Sequence, residues 1–263
     1  MRGFLCTAPG VNAAPQCTRE ALNLLNEYAD ELYPKPEEVL PHMSLICPHQ
    51  IVIPMNYAAF LSEADSNTGF CQYLIVAVPD TKEDEGGGSV AADLAREISD
   101  LKAAIADGSS RFLAVEAGVN GCVFIKTTLE NPVELTYAIM KDIAKTGTKK
   151  SKYLLRMMPV EVVCKAYIED VKKAAEKLFA EHFSGEPITF AINFTKRCNN
   201  NLMREEVIEA LAQLVKDRNP DHKADLKSAH STVLVEVLKN FCCLAVVPQY
   251  FQMRKYNLIQ LAQ

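Results

Sequence analysis

The chain has 263 residues, 49% hydrophobic and 23% charged, with a net charge of −5. That composition excludes a chain disordered throughout and suits one large domain or two modest ones. No apolar run reaches the roughly 18 residues of a membrane-spanning helix, and the first residues lack the apolar stretch of a secretory signal, so no membrane partner is expected.

Arg2–Thr7 reads as a strand with Phe4 and Cys6 on one face. Thr18 then suits the cap of a helix carrying Leu22, Leu25, Tyr28 or Ala29, and Leu32 inward, ended by Tyr33-Pro34-Lys35-Pro36. From Leu40 to Val78 the sequence is unpatterned and broken by Pro41, Pro48 and Pro54. Glu83-Asp84-Glu85-Gly86-Gly87-Gly88 follows as an acidic linker. Ser89 begins a second helical pattern that runs to Ala106. Arg111–Val115 and Cys122–Thr127 read as strands joined at Asn120-Gly121, a strong hairpin signal.

Asn131-Pro132-Val133-Glu134 combines an N-cap, a first-turn proline and a capping-box carboxylate. The helix it starts buries Leu135, Ala138, Ile139 and Ile143. Tyr153–Met157 is expected as the next strand, closed by Pro159. With the insertion near 40–88 and its following helix set aside, the order is β-α-β-β-α-β, the ferredoxin-like pattern of a four-stranded sheet covered by two helices.

Past Pro159, Tyr167, Val171, Ala174 or Ala175, and Leu178 mark a helix, and Ile188–Phe194 alternates as a strand. A loop at residues 196–201 leads to a helix carrying Val207, Ile208, Leu211, Leu214 and Val215. Thr232–Leu238 and Phe241–Val247 are two further strands. The fold class is therefore α+β or α/β: a ferredoxin-like domain over residues 1–159, then a small α/β domain over 160–256.

Charge is unevenly spread. Residues 1–140 hold 8 Lys and Arg against 19 Asp and Glu, whereas 141–204 hold 13 against 7. A basic block in an acidic chain is either an anion-binding face or a solvated surface. Lys145, Lys149, Lys150 and Lys152 bracket a Thr-Gly-Thr turn that can reach a phosphate backbone, or they complement a helix C-terminus. Lys196, Arg197, Asn199 and Arg204 fall at a strand end, in a loop and at a helix start. There, arginine forks and helix N–H groups suit phosphate, and an asparagine amide suits the edge of an unpaired base. Arg156 and Lys165 either face a groove between the domains or form structural ion pairs. Arg254-Lys255-Tyr256 offers a basic edge with one stacking ring, or a docked terminus.

Nine cysteines without paired short spacings read as free thiols of a reducing, intracellular compartment. His42, Cys47 and His49 match no zinc spacing, and no catalytic triad or cofactor-binding glycine loop can be anchored, so no catalytic residue, metal or cofactor is expected.

The segment from Phe190 to Val207, with Arg197, Asn199 and Arg204-Glu205-Glu206-Val207, then Ala224-Asp225-Leu226 before Thr232-Val233-Leu234-Val235-Glu236-Val237, resembles a THUMP domain, an RNA-binding module of tRNA-modifying proteins. Cys122-Val123-Phe124-Ile125, Leu155-Arg156-Met157-Met158-Pro159, Cys164-Lys165-Ala166, Phe241-Cys242-Cys243-Leu244 and Arg254-Lys255-Tyr256-Asn257-Leu258 extend the resemblance toward the THUMP-domain adaptors of tRNA cytidine acetylation.

The resemblance implies tRNA binding at the acceptor stem and 3′ end, and presentation of the tRNA to a separate RNA cytidine acetyltransferase that forms N4-acetylcytidine. It also implies nuclear or nucleolar residence. Leu40–Val78 has no counterpart in the family pattern and reads as an insertion or a mis-spliced segment. Two other functions stay open: a tRNA methyltransferase or thiolation enzyme, and a protein-interaction module without RNA binding.

Overall fold

Residues 1–33 and 110–263 are described by the computed structural model, and they belong to one compact body. The insertion expected near 40–88, the helix expected from Ser89 to Ala106, and His42, Cys47 and His49 lie outside the described residues.

The first sheet is built from β1 (Arg2–Thr7), β2 (Phe112–Glu116), β3 (Cys122–Thr127) and β4 (Arg156–Val160), in the order β2-β3-β1-β4. Every neighbouring pair is antiparallel. With α1 (Ala14–Leu32) after β1 and α2 (Pro132–Thr146) after β3, the described elements keep the expected β-α-β-β-α-β succession. Leu24, Leu25, Tyr28 and Ala29 of α1 and Leu135, Ile139, Met140 and Ile143 of α2 pack in one core with Phe4, Phe112 and Ile125 of the sheet.

Three local boundaries differ from expectation by more than one residue. α1 starts four residues before Thr18, because Pro15 is pre-organised for a first turn; the Thr18 hydroxyl instead donates to the Ala14 carbonyl at 2.9 Å, and Leu32 ends the helix exposed. The strand expected over Tyr153–Met157 is displaced to Arg156–Val160, and Pro159 lies inside it opposite Phe4. A proline fits there because β4 is an edge strand with one side free of ladder hydrogen bonds. The third, at β6, concerns the candidate site.

α2 follows its sequence signal closely. The Asn131 side chain accepts from the Glu134 amide at 3.1 Å, and Gly147 closes the helix in the left-handed conformation, φ 64°.

The second sheet holds β5 (Val162–Lys165), β6 (Thr189–Arg197), β7 (Lys223–Ala224), β8 (Ser231–Leu238) and β9 (Phe241–Pro248), in the order β5-β9-β8-β6-β7. β6 runs parallel to β7 and β8; the remaining pairs are antiparallel. Two helices, α3 (Ile168–His182) and α4 (Arg204–Arg218), cover one face, where Val171, Phe179, Val207 and Leu211 pack on Val233, Val235, Val237 and Leu244.

The opposite face joins the first core through Leu234, Leu238, Cys243, Ala245 and Val247. Burial on both faces explains why β8 and β9 read as largely apolar runs without polar alternation, and why Cys242 and Cys243 are core residues. Beyond β9 the chain returns to the first sheet. Leu258 N donates to Leu155 O at 2.9 Å, Asn257 bridges Arg156, and α5 (Leu258–Leu261) ends the described fold. Tyr256 is fully buried and donates to the Pro248 carbonyl, so the Arg254-Lys255-Tyr256 segment docks a terminus and presents no stacking ring.

Glu161 stands between β4 and β5, where the chain passes from one sheet to the other. Its carboxylate accepts from the Val246 amide at 2.8 Å and pairs with His182 Nε2 at 2.9 Å. The hydrogen bond to Glu161 raises the His182 pKa above its ordinary value despite partial burial. A raised histidine stabilises the fold fully below its unfolded pKa, near 6.5, and that contribution fades as pH rises through the folded value. The urea midpoint should therefore fall more between pH 6 and pH 8 in the wild type than in Glu161→Gln. Asn131→Ala should lower unfolding free energy by about 1 kcal/mol in the same assay, through loss of the α2 cap.

Candidate nucleic-acid interface

Strand β6 extends three residues beyond the alternation visible in the sequence, through Thr195, Lys196 and Arg197, and stays paired with β8 to its end. Lys196 and Arg197 are therefore strand residues rather than loop residues, and the two-residue period sends them to opposite faces. Arg197 turns toward the first sheet, where a guanidinium N–H donates to the Cys122 sulfur. Lys196 reaches across the following loop, and its ammonium donates to Leu202 O at 3.2 Å.

The loop after β6 is held by Asn199. Its amide N–H donates to Lys239 O at 2.6 Å, while its oxygen accepts from the Asn201 and Leu202 amides at 2.9 and 3.1 Å. Asn199 is buried, and donor and acceptor alike are occupied within the protein, so its role is to shape the turn into α4 rather than to read a base. Arg204 opens α4 and donates to Phe194 O at 3.0 Å, with Glu205 and Glu206 beside it. Those carboxylates already complement the positive end of the helix, which weakens the case for an anion there. The structure thus divides the four residues: Arg197 on one side of the sheet, Lys196 and Arg204 on the other, and Asn199 buried in the turn between.

Arg197 lines an open groove of about 460 Å³ with Arg156. The other walls are the turn at Thr7, Ala8, Pro9, Gly10 and Val11, the hairpin tip Asn120-Gly121, and Asn257. Arg156 comes from the first strand position of β4, opposite Thr7, and Arg197 from the last of β6. Two guanidinium groups from different sheets therefore converge on a groove edged by glycines and polar backbone. Gly121, at φ 72°, takes a conformation that lets the hairpin turn tightly there.

Lys165 is exposed at the end of β5. It occupies the same cross-strand row as Phe241, Leu238 and Arg197, three strand spacings or roughly 14 Å from Arg197. The lysine tip is more constrained than its sequence suggests. Lys150 is paired with Glu27 at 3.5 Å and Asp142 at 3.4 Å and lies over the Tyr28 ring, whose hydroxyl donates to Asp142. Glu20 of α1 accepts from the amides of Lys152, Tyr153 and Leu154, pinning the turn to the first domain's helix. Lys145, Lys149 and Lys152 remain exposed, with Lys152 over the Tyr153 ring.

Sequence reasoning missed Glu236. It is 4% exposed, on the face of β8 that looks toward the first sheet, and one carboxylate oxygen has no hydrogen-bond partner. Burial pushes its carboxyl up to about 7, against the opposing pull of Arg197, Thr195 and Arg156. The available signal was its position: one charge at the same strand parity as Leu234 and Leu238, inside an otherwise apolar run.

The second sheet and its helices define a THUMP-domain protein: the THUMP domain matches residues 165–247, from the last residue of β5 into β9, with both covering helices. A Drosophila melanogaster protein, THUMP domain-containing protein 1 homolog, is 36% identical over 99% of this chain and 74% of its own length. Human THUMP domain-containing protein 1 is 36% identical over 92% of this chain. The chain belongs to the THUMP domain-containing protein 1 family. It spans 59% of the human relative's length. A Saccharomyces cerevisiae protein named tRNA acetyltransferase TAN1 is 30% identical over 49% of this chain and 49% of its own length.

Asn199→Ala should remove three hydrogen bonds from a buried turn and lower the unfolding free energy by about 1–3 kcal/mol in urea titration. An unchanged midpoint would show that the turn does not depend on the amide.

Proposed function

We propose that this chain is a non-catalytic tRNA-binding adaptor that presents tRNA to a separate RNA cytidine acetyltransferase, supporting N4-acetylcytidine formation. The observation that carries this reading is the convergence of Arg156 and Arg197 on one open groove. Guanidinium forks match phosphate oxygens in two-pronged geometry, and the groove's polar, glycine-edged rim admits a sugar-phosphate backbone without burying a base. Membership of the THUMP domain-containing protein 1 family and likeness to a yeast protein named for tRNA acetylation direct the choice of nucleic acid to tRNA.

On this reading the acceptor stem or 3′ end lies along the groove. Lys145, Lys149, Lys152 and Lys165 supply further exposed positive charge, and the protein works where tRNA is modified in the nucleus. Lys196 and Arg204, on the helical side of the β6 turn, contribute less than Arg197.

Purified chain should bind tRNA with a linear fall of log affinity against log salt. Arg156→Ala/Arg197→Ala should weaken binding at least tenfold and flatten that slope by about two, one for each phosphate no longer neutralised. Arg204→Ala should change it less. Equal binding by wild type and the double variant would overturn the groove assignment. With the acetyltransferase present, N4-acetylcytidine in tRNA should require this chain and drop in the double variant; product formed by the chain alone would establish an enzyme instead.

A further inference from the structure

A buried acidic group next to the groove's arginines is not explained by the groove's proposed use. Glu236 lies beneath the groove, with Thr195 and Arg197 on β6 on one side and Cys243 on β9 on the other. In register, Thr195 is directly opposite Glu236 and Arg197 is one diagonal step further on the same face, within reach of long side chains. Arg156 and Tyr250 approach from β4 and the segment after β9, and Cys122 from β3. Among the described residues, however, neither arginine forms an ion pair with Glu236. Arg197 donates to Cys122 instead, and one Glu236 oxygen is left without a partner.

A buried carboxylate with one oxygen unpartnered is disfavoured in its ionised form despite Thr195 and the two arginines, and removing its proton leaves a negative charge beside those arginines. That charge opposes the entry of a phosphate, which is itself negative at all pH values of interest. Conversely, a bound phosphate disfavours ionisation of the carboxyl. The two events are linked, and the linkage is reciprocal.

Of the side chains in this cluster, Glu236 is the one that titrates near neutrality; the N-terminal amine, which interacts with Cys243, is held below its ordinary value by burial and by Arg2 and Lys126. Burial raises the Cys122 thiol and takes Cys243 and Tyr250 up to about 12, so those three stay neutral between pH 6 and pH 8. Both arginines stay charged throughout.

We propose that Glu236 sets the charge of the groove: its carboxyl group holds a proton while an RNA phosphate rests on Arg156 and Arg197, and gives that proton to solvent when the groove is empty above neutral pH. This rests on the RNA-binding reading of the groove and adds a determinant of affinity within the β8 core. Binding is then accompanied by proton uptake at Glu236, and the protein holds RNA more tightly on the acid side of neutrality.

The test measures tRNA affinity of the full chain at pH 6, 7 and 8 at constant ionic strength, for wild type and Glu236→Gln, which keeps the shape of the protonated side chain. Wild-type affinity should fall roughly three- to tenfold from pH 6 to pH 8, the effect of one unit charge at short range in a partly screened site. Glu236→Gln should bind at pH 8 as wild type does at pH 6, with little slope between. It should also melt no lower than wild type at pH 8, because a raised carboxyl destabilises the fold as it ionises.

A slope unchanged in Glu236→Gln assigns the titration to other groups, the histidines or the N-terminal amine, and overturns the inference. Weaker binding by a folded Glu236→Gln at every pH overturns it too, since the carboxylate would then be holding the arginines in place. Wild type that binds tRNA at none of the three pH values overturns the RNA-binding reading itself, and this inference with it.

Discussion

The architecture depends on the second sheet being covered twice. β8 and β9 carry apolar side chains on both faces because α3 and α4 pack on one and the core of the first sheet on the other. A strand apolar on both faces has no solvated side, so each cover shields apolar surface that would otherwise meet water. The binding groove is a consequence of this packing. It opens where the ends of β6 and β4 meet the turns of the first sheet, at the edge of the shared core. Neither sheet by itself supplies both arginines.

The same constraint explains the chemistry of the cluster beneath the groove. A glutamate on an exposed strand would be an ordinary solvated charge. In β8 the second cover removes it from water, so desolvation outweighs the attraction of two nearby arginines and the proton is held more tightly. Cys122, Cys243 and Tyr250 are shifted upward by the same burial. The Glu161–His182 pair is a contrasting case: it is half-buried, each partner is satisfied, and the hydrogen bond rather than desolvation dominates.

The basic block of residues 141–204 is put to several uses. Lys150 stabilises the join between α1 and α2, the tip around Lys152 is gripped by Glu20, and Arg204 braces the end of β6. The charges left free for a polyanion are fewer than composition suggests, and they come from separate elements. An acidic chain can still have a local anion site, because screening limits each charge's influence to about a Debye length, near 8–10 Å.

Much of the fold was legible in the residues. The capping signal at Asn131, the glycine turn before Cys122 and the alternation of Phe190, Ile192 and Phe194 are local, and local chemistry fixes helix starts, turns and strand faces. The resemblance pointed to the right family, and Arg197 was a candidate anion ligand, whereas Arg156 was open between a groove contact and a structural ion pair. Burial and pairing were not legible, because they depend on residues distant in sequence. Proline inside β4 is acceptable only because that strand is an edge, and Asn199 is occupied only because Lys239 comes back beside it. Tyr256 is a core residue only because the terminus folds onto β4, and Glu236 became significant only when a second core closed over its strand. The order of elements is set by short-range propensity and period. Which polar groups stay free to meet a ligand is decided by long-range packing, since that packing determines where water is excluded.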